Sequence, residues 1–203
     1  MDRTALVTGG LGFIGRAAAQ KLQADGFRVI GLGHGNRPFD DPGSAGFARW
    51  VDGDVSVSAL QGLEERFDLV VHCAGNGSVG YSLTHPMEDF AKTVQTTAAV
   101  LEYMRLAKSQ ALLVYPSSAG VYGSKDNIAI HESDALEPIS PYGHHKKIAE
   151  ELLASYSQSH GLRVLVIRFF SVYGAGLTKQ LLWDAGARLV AAGDSPAVFW
   201  GTG

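Results

Sequence analysis

The chain has 203 residues, of which 46% are hydrophobic and 18% are charged, and its formal net charge at pH 7 is −3. This size and composition allow one large hydrophobic core, and the scattered lysines and arginines form none of the basic stripes that bind nucleic acid. No apolar run approaches the ~20 residues that a membrane-spanning helix requires, so we expect neither a nucleic-acid partner nor a membrane association.

Apolar runs alternate along the chain with stretches that favour helices, and the runs end in glycine or small polar residues. The predicted strands are 4–10, 28–33, 49–55, 68–75, 111–118, 163–174 and 197–203. The predicted helices are 13–26, 56–66, 86–108, 141–160 and 177–193. This alternation predicts an α/β fold, with helices on both faces of a doubly wound parallel sheet.

The N-terminal sequence "MDRTALVTGG" enters a strand at once, which leaves no room for a signal peptide and predicts a cytoplasmic protein. The one cysteine, Cys73, excludes an internal disulfide and a cysteine-based metal cluster, and we expect a small buried residue there. His72 ends the same strand and is expected to be packed. No grouping of His, Asp and Glu has metal-ligand spacing, so we predict no metal site.

The sequence "TGGLGFIG" joins the first predicted strand to the first helix and places Gly9, Gly12 and Gly15 at intervals of three. Glycine is needed where a backbone turns tightly, approaches a pyrophosphate or packs a helix closely on a strand. The N-terminus of the helix behind the turn supplies free N–H groups for phosphates. This position favours a dinucleotide site over a purely structural turn.

In "SPYGHHK", Tyr142 lies four residues before Lys146, just inside a helix that begins at Pro141. Both side chains then project from one face of the helix, and a cation beside a phenol favours the phenolate. The pair can form a general base, although a surface helix that merely carries both residues has the same spacing. His144 and His145 point away from that face and are expected in solvent.

The chain resembles the extended short-chain dehydrogenase/reductases of the NAD-dependent epimerase/dehydratase family, which includes the UDP-galactose 4-epimerases. The motifs that carry the resemblance are "TGGLGFIG", "GDV" at 53–55, "HCAG" at 72–75, "PSSAGVYG" at 116–123, "SPYGHHK" at 140–146 and "RFFSVYGAG" at 168–176. The resemblance implies a dinucleotide-binding Rossmann domain over 1–175. It also implies that residues 176–203 begin a substrate-binding lobe that this chain leaves incomplete.

The resemblance assigns catalysis to Ser118, Tyr142 and Lys146. Tyr142 is the expected base, and Lys146 lowers its pKa, together with the nicotinamide charge, and reaches the cofactor ribose. Ser118 is expected to hydrogen-bond the substrate hydroxyl and Tyr142, with Ser117 as a backbone-tethered neighbour.

The resemblance implies NAD as the cofactor, with NADP as the alternative because Gly33 stands where NAD-using relatives carry an acid. Arg37 can pair with a 2′-phosphate or simply lie in a surface loop. Asp54 is expected at the adenine amine or in a solvated turn, and Phe170 beside the nicotinamide or in the core. The predicted cofactor-binding residues are Gly9, Gly12, Phe13, Ile14, Gly15, His34, Arg37, Asp54, Val55, Ala74, Gly75 and Phe170.

The resemblance implies a nucleotide-sugar substrate in contact with Ser78, Ser118 and Ser171. Ser171 and Thr93 stand where many relatives carry Asn. Lys179 and Gln180 either reach the sugar-nucleotide diphosphate or begin a surface helix.

We expect a nucleotide-sugar epimerase that works by transient oxidation of a sugar hydroxyl. Related sugar 4,6-dehydratases carry Asp and Glu where this chain has Ala119 and Gly120, which disfavours water elimination. The alternatives are a nucleotide-sugar reductase or dehydrogenase, a non-catalytic dinucleotide sensor, and an inactive fragment. The family also implies a homodimer through helices 86–108 and 141–160, and a role in polysaccharide biosynthesis.

Overall fold

The computed structural model describes residues 3–35, 42–125, 129–178, 180–193 and 195–196. The predictions for Arg37, Lys179, the side chain of Gln180 and the strand 197–203 lie outside the described residues. The chain divides into two compact units, Met1–Phe170 and Ser171–Gly203. The functional boundary between residues 175 and 176 stays a prediction.

The first unit contains a six-stranded parallel sheet in the order β3-β2-β1-β4-β5-β6. The strands are β1 Thr4–Thr8, β2 Arg28–Gly33, β3 Arg49–Asp52, β4 Leu69–His72, β5 Leu112–Ser118 and β6 Arg163–Phe169. The strand order reverses between β1 and β4, and ligands of such sheets bind beyond the carboxyl ends of the strands at this switch point. The predicted doubly wound Rossmann sheet is confirmed.

The helices are α1 Phe13–Ala24, α2 Val57–Gln61, α3 Val79–Thr84, α4 Pro86–Phe90, α5 Thr96–Leu106, α6 Pro141–His160 and α7 Gln180–Ala192. The helix predicted over 86–108 is interrupted by a π-helical segment, Ala91–Gln95, between α4 and α5. Helix α3 is absent from the sequence-based prediction, because six residues are too few to show a helical period. Among the helices in the described ranges, none combines the length and apolar character needed to cross a bilayer.

Two apolar clusters lie on opposite faces of the sheet. Adjacent residues of a strand point to opposite faces, and Leu6 belongs to one cluster while Val7 belongs to the other. The first cluster includes residues of α2, α5 and α6, and the second includes Ala19 of α1. The sheet is therefore held between helices, and its carboxyl edge remains available for a site.

Helix α6 has strong local start and stop signals. The Ser140 side chain accepts a hydrogen bond from the Gly143 backbone N–H at 3.1 Å, and Pro141 occupies the first turn. Gly161 ends the helix with a φ of 69°, a left-handed conformation that glycine adopts without strain. These signals explain why the predicted bounds of 141–160 agree with the structure.

Candidate active site

The turn between β1 and α1 is packed too tightly for side chains. A Cβ on Gly9, whose φ is +65°, would lie 2.5 Å from the Ala74 backbone nitrogen, and one on Gly15 would lie 2.5 Å from the Gly9 carbonyl oxygen. Gly12 is the exposed N-cap of α1. The turn therefore presents bare backbone and a helix N-terminus, as a pyrophosphate site requires.

A cleft of about 810 Å³ opens at the carboxyl ends of β1, β2 and β4. Its lining includes the predicted residues Gly9, Gly12, His34, Asp54, Val55, Ala74 and Gly75. Gly15 is buried beneath the turn, and Phe13 and Ile14 are half-buried in α1. The size of the cleft and the glycine turn in its lining fit an extended dinucleotide.

The end of the cleft at β2 carries a contact between His34 and Asp54, with no acidic residue at the strand end itself. Gly33 ends β2, and the next residue, His34, lies with Nε2 3.1 Å from Oδ1 of Asp54. The Asp54 side chain is 90% exposed, so its carboxylate reaches both His34 and solvent. Both residues line the cleft.

The loop after β4 forms the floor of the cleft beside α3. Ser78 is the N-cap of α3, and its side chain accepts a hydrogen bond from the Tyr81 backbone at 3.2 Å. The buried Thr93 accepts a hydrogen bond at 3.5 Å from the backbone N–H of Asn76. Sequence reasoning missed Asn76, which lines the cleft.

The three predicted catalytic residues converge at the end of β5. Ser118 and Tyr142 both lie beside Gly120, where a Cβ would be 3.4 Å from Ser118 Oγ and 3.5 Å from Tyr142 Cε1, and Ser118 Oγ accepts from the Gly120 backbone at 3.1 Å. Lys146 Nζ donates to the Pro116 carbonyl oxygen at 2.9 Å. Tyr142 and Lys146 thus both face β5, as their spacing predicts.

Gly143 brings helix α6 close enough for this arrangement. A Cβ at Gly143 would lie 2.5 Å from the Gly120 carbonyl oxygen, in the 3₁₀ turn Ala119–Val121 that follows β5. Gly120 is itself close to the phenol, because a Cβ there would lie 3.5 Å from Tyr142 Cε1. Two glycines at the crossing therefore let Tyr142 reach Ser118.

The model of the NAD dependent epimerase/dehydratase family matches residues 5–203. The chain belongs to this family. It is 34% identical over 181 residues to UDP-arabinose 4-epimerase 1 of Arabidopsis thaliana, covering 84% of this chain and 43% of that protein. It is 33% identical over 189 residues to UDP-glucose 4-epimerase of Streptomyces lividans, covering 91% and 57%.

Solved structures of similar proteins share the fold. The UDP-glucose 4-epimerase from Brucella ovis in complex with NAD superposes with a TM-score of 0.75 at 31% identity, over 85% of this chain and 53% of that one. A UDP-galactose 4-epimerase superposes with a TM-score of 0.78 at 31% identity, over 93% and 63%. The chain spans about half the length of the curated relatives it matches.

In this member of the epimerase/dehydratase family, burial is the largest influence on the pKa values of Tyr142 and Lys146. Burial raises the pKa of Tyr142, the hydrogen bond from Ser118 lowers it, and the charge of Asp89 raises it. We expected Lys146 to lower this pKa, but the protein alone holds it above its ordinary value because desolvation outweighs the Ser118 hydrogen bond. Burial also lowers the pKa of Lys146 to about 8.

A largely buried ion pair supports α6 one turn beyond Lys146. The Glu150 carboxylate accepts from Arg168 Nη2 at 2.8 Å and from Nε at 3.1 Å, and these bonds raise the pKa of Arg168. The same carboxylate accepts a hydrogen bond from the Ser117 hydroxyl. The prediction that Ser117 is tethered to backbone is therefore wrong. Its hydroxyl bonds instead to the side chain of Glu150 in α6, a residue too distant in the sequence for local reasoning to identify.

The sequence predicts the environments of three of the seven histidines, His72, His144 and His145. His72 is packed, as predicted, with Nδ1 2.6 Å from Thr8 Oγ1, and its pKa is lowered to about 3 by burial and then by the Lys146 charge. His144 is exposed, as predicted. The prediction for His145 is wrong, because its side chain is only 13% exposed and pairs with the buried Asp89.

Two further predictions concern the end of the first unit and the beginning of the second. Phe170 is 61% exposed, so its alternative assignment to the core is wrong. Ser171 is exposed and belongs to the second unit. Contacts of Phe170 with a nicotinamide and of Ser78 and Ser171 with a sugar stay predictions.

Within the described ranges, no group of three or more His, Cys, Asp and Glu side chains has the geometry of a metal site.

Proposed function

We propose that the protein containing this chain is an NAD-dependent UDP-sugar 4-epimerase. The observation that carries the proposal is the convergence of Ser118, Tyr142 and Lys146 at the end of β5, in a sheet whose glycine turn after β1 suits a dinucleotide. The names of the relatives, which include UDP-arabinose and UDP-glucose 4-epimerases, support the substrate class.

In the proposed mechanism Tyr142 accepts the proton of the sugar hydroxyl at C4. Ser118, which lies beside the phenol ring at Gly120, would hold the same hydroxyl oxygen in reach. At pH 7 the Lys146 ammonium is largely protonated, since its pKa is about 8, and its charge favours the phenolate. NAD bound in the cleft would supply the acceptor and donor for the C4 hydride, and its nicotinamide charge would further favour the phenolate.

Loss of the proton and the hydride leaves a 4-keto sugar. Rotation of this keto sugar about its bond to the diphosphate presents the opposite face of the ring, and Tyr142 returns the proton to the oxygen. The reaction is redox-neutral, which distinguishes it from a reductase or dehydrogenase. Ala119 and Gly120, next to Ser118, have no group that can transfer protons, so water elimination of the dehydratase type has no acid or base there.

The cofactor proposal is NAD, supported by the family and by the NAD complex of a similar epimerase. The alternative is NADP, because Gly33 removes the acidic residue that would repel a 2′-phosphate. Mass spectrometry of nucleotide released from purified protein distinguishes the two, and recovery of NADP would overturn this part of the proposal.

The activity test uses purified protein incubated with UDP-galactose, UDP-glucose and UDP-arabinose, with the products separated by chromatography. We expect interconversion of 4-epimers without net formation of NADH. Tyr142→Phe should reduce turnover at least 100-fold while NADH still binds, because the phenol oxygen acts as the base. Net consumption of added cofactor would instead identify a dehydrogenase. Cofactor binding without any turnover would favour a sensor, and unchanged turnover in Tyr142→Phe would refute the assigned base.

The homodimer is a separate part of the proposal. Helices α5 and α6 each carry an exposed aliphatic residue, Leu106 and Ile148 respectively, which supports pairing of these helices between subunits. Light scattering tests this, and a monomeric mass at micromolar concentration would contradict it. The cytoplasmic location and the role in polysaccharide biosynthesis stay predictions, to be tested by cell fractionation and by the phenotype of a deletion strain.

A further inference from the structure

Asp89 of α4 is a buried carboxylate whose two oxygens face two different walls of the site. Its side chain is 0% exposed, and a buried carboxylate is strongly unfavourable unless it is paired. Oδ1 accepts a hydrogen bond from Asn76 Nδ2 at 2.7 Å, and Oδ2 pairs with His145 Nδ1. Asp89 is therefore the junction between the loop after β4 and helix α6.

The first arm of this junction orders the floor of the cleft. Asn76 lines the cleft, and its amide nitrogen also donates to the Ser78 carbonyl oxygen at 2.9 Å. The amide oxygen accepts from the Ser78 backbone N–H at 3.1 Å. One side chain thus closes the turn that leads into α3, and the Asp89 carboxylate fixes how that side chain is oriented.

The second arm holds the turn of α6 that carries the catalytic pair. His145 lies between Tyr142 and Lys146 in sequence, and its ring packs edge-on against Phe90 at 5.5 Å between centroids. The backbone N–H of Tyr142 donates to Ser82 Oγ of α3 at 3.1 Å. Two tethers therefore join this turn of α6 to the α3–α4 region, and one of them passes through Asp89.

We propose that the Asn76–Asp89–His145 bridge is a positioning device that holds the dinucleotide-facing loop and the Tyr142-bearing helix in one fixed relation. The inference rests on the proposed function and extends it. It assigns three residues outside the Ser–Tyr–Lys set to setting the distance between the bound cofactor and the base. None of the three is required to exchange a proton with the substrate.

The charge of Asp89 distinguishes a role in positioning Tyr142 from a role in lowering its pKa. After burial and the Ser118 hydrogen bond, the negative charge of Asp89 is the next influence on Tyr142, and it raises the pKa of the phenol. The carboxylate therefore opposes formation of the phenolate. The benefit of the bridge lies in geometry, and removing the charge while retaining the hydrogen bonds should leave that benefit intact.

The test compares variants at position 145 that keep or lose the donor. His145→Asn retains an N–H donor at about the position of Nδ1, whereas His145→Leu fills a similar volume without a donor. We expect His145→Leu to lower kcat about 10- to 100-fold, as a displacement of about 1 Å near reacting groups does, and to raise the dissociation constant of NADH about tenfold. His145→Asn should recover both quantities to within about threefold of the wild type.

A double-variant cycle on the dissociation constant of NADH tests the coupling directly. If the bridge acts as one unit, the second substitution adds nothing to the first. The double variant Asn76→Ala/His145→Leu should then have the same dissociation constant for NADH as whichever single variant binds it less tightly. Additive effects of the two substitutions would overturn the proposal. The proposal would also be overturned if His145→Leu binds NADH normally and has a normal kcat per folded molecule. A lower melting temperature of that variant would not rescue it, because it would show only a role in stability.

Glu65→Leu is the control for replacing a hydrogen-bonded side chain with leucine at a position outside the cleft. Glu65 accepts a hydrogen bond from Arg28 at 2.9 Å, and neither residue is among those that line the cleft. We expect Glu65→Leu to change neither kcat nor NADH binding. If the wild type binds NADH without epimerising any sugar, the proposed function fails. The double-variant cycle on NADH binding then still tests whether the bridge positions the loop and the helix. If the wild type does not bind NADH, both fail.

Discussion

Replacing Lys146 with methionine should stabilise the protein while it removes the cation proposed to assist catalysis. The Lys146 side chain is 7% exposed, and burial lowers its pKa from the ordinary 10.5 to about 8. At about 1.4 kcal/mol for each pH unit, this difference corresponds to about 3 kcal/mol of destabilisation at pH 7. The substitution also removes the hydrogen bond to Pro116, which contributes about 1 kcal/mol, so the expected net gain is about 2 kcal/mol.

The gain should depend on pH with a defined sign. Between pH 8 and pH 10.5 the unfolded chain binds more protons at Lys146 than the folded protein does, so the wild type becomes more stable as the pH rises through this range. The full cost of burying the charge is present below about pH 8. The advantage of Lys146→Met should therefore be present at pH 7 and nearly disappear by about pH 10.

The assay is urea denaturation of wild type and Lys146→Met at pH 7 and pH 10, followed by circular dichroism, with turnover measured in parallel. Turnover should fall by about 100-fold or more, because the phenolate loses its neighbouring cation. An equal or lower free energy of unfolding for the variant at pH 7 would refute the reasoning. A stabilisation of the same size at both pH values would show that improved packing, rather than the buried charge, is responsible.

Three glycine and serine variants test the rest of the site. Gly143→Ala should push α6 away from the turn after β5, because its Cβ would lie 2.5 Å from a carbonyl oxygen there. We expect at least a tenfold lower kcat with NADH binding unchanged, and a normal kcat would contradict the close approach. Gly186→Ala, which meets no atom within 4 Å, is the control for adding a methyl group to a helical glycine and should leave kcat unchanged. Gly9→Ala should abolish NADH binding, measured by fluorescence, and lower the melting temperature, since its φ of +65° and its contact with the loop after β4 both exclude a side chain. Ser118→Ala removes the hydrogen bond that lowers the pKa of Tyr142, so the acidic limb of the kcat–pH profile should move to higher pH; an unmoved limb would count against that bond.

Local signals in the sequence are sufficient for most of the fold. The apolar runs that became β1, β2, β4 and β5 are continuous because both faces of a parallel sheet are covered, so they can be recognised without the rest of the chain. The bounds of α6 follow from Ser140, Pro141 and Gly161, which act within one turn of each end. The π-helical segment Ala91–Gln95 has no such signature, and periodicity alone predicts one uninterrupted helix there.

In the candidate site too, the sequence predicts features set by residues close together in the chain and misses those set by distant residues. The spacing of Tyr142 and Lys146 places them on one face of a helix by geometry alone, and the structure turns that face toward β5. Periodicity places His145, three residues after Tyr142, at the flank of that face. It cannot show that α4 covers the other face and supplies Asp89 as a partner, so the prediction of a solvated histidine fails.

The amino-acid sequence by itself determined the alternation of strands and helices, the bare glycine turn and the pairing of a phenol with an amine. These features depend on residues within a few positions of one another. Only the tertiary structure decided how deeply those groups are buried, and therefore that the pKa of Tyr142 is raised and that of Lys146 lowered. Desolvation is produced by atoms that arrive from distant parts of the chain, and no local pattern specifies them.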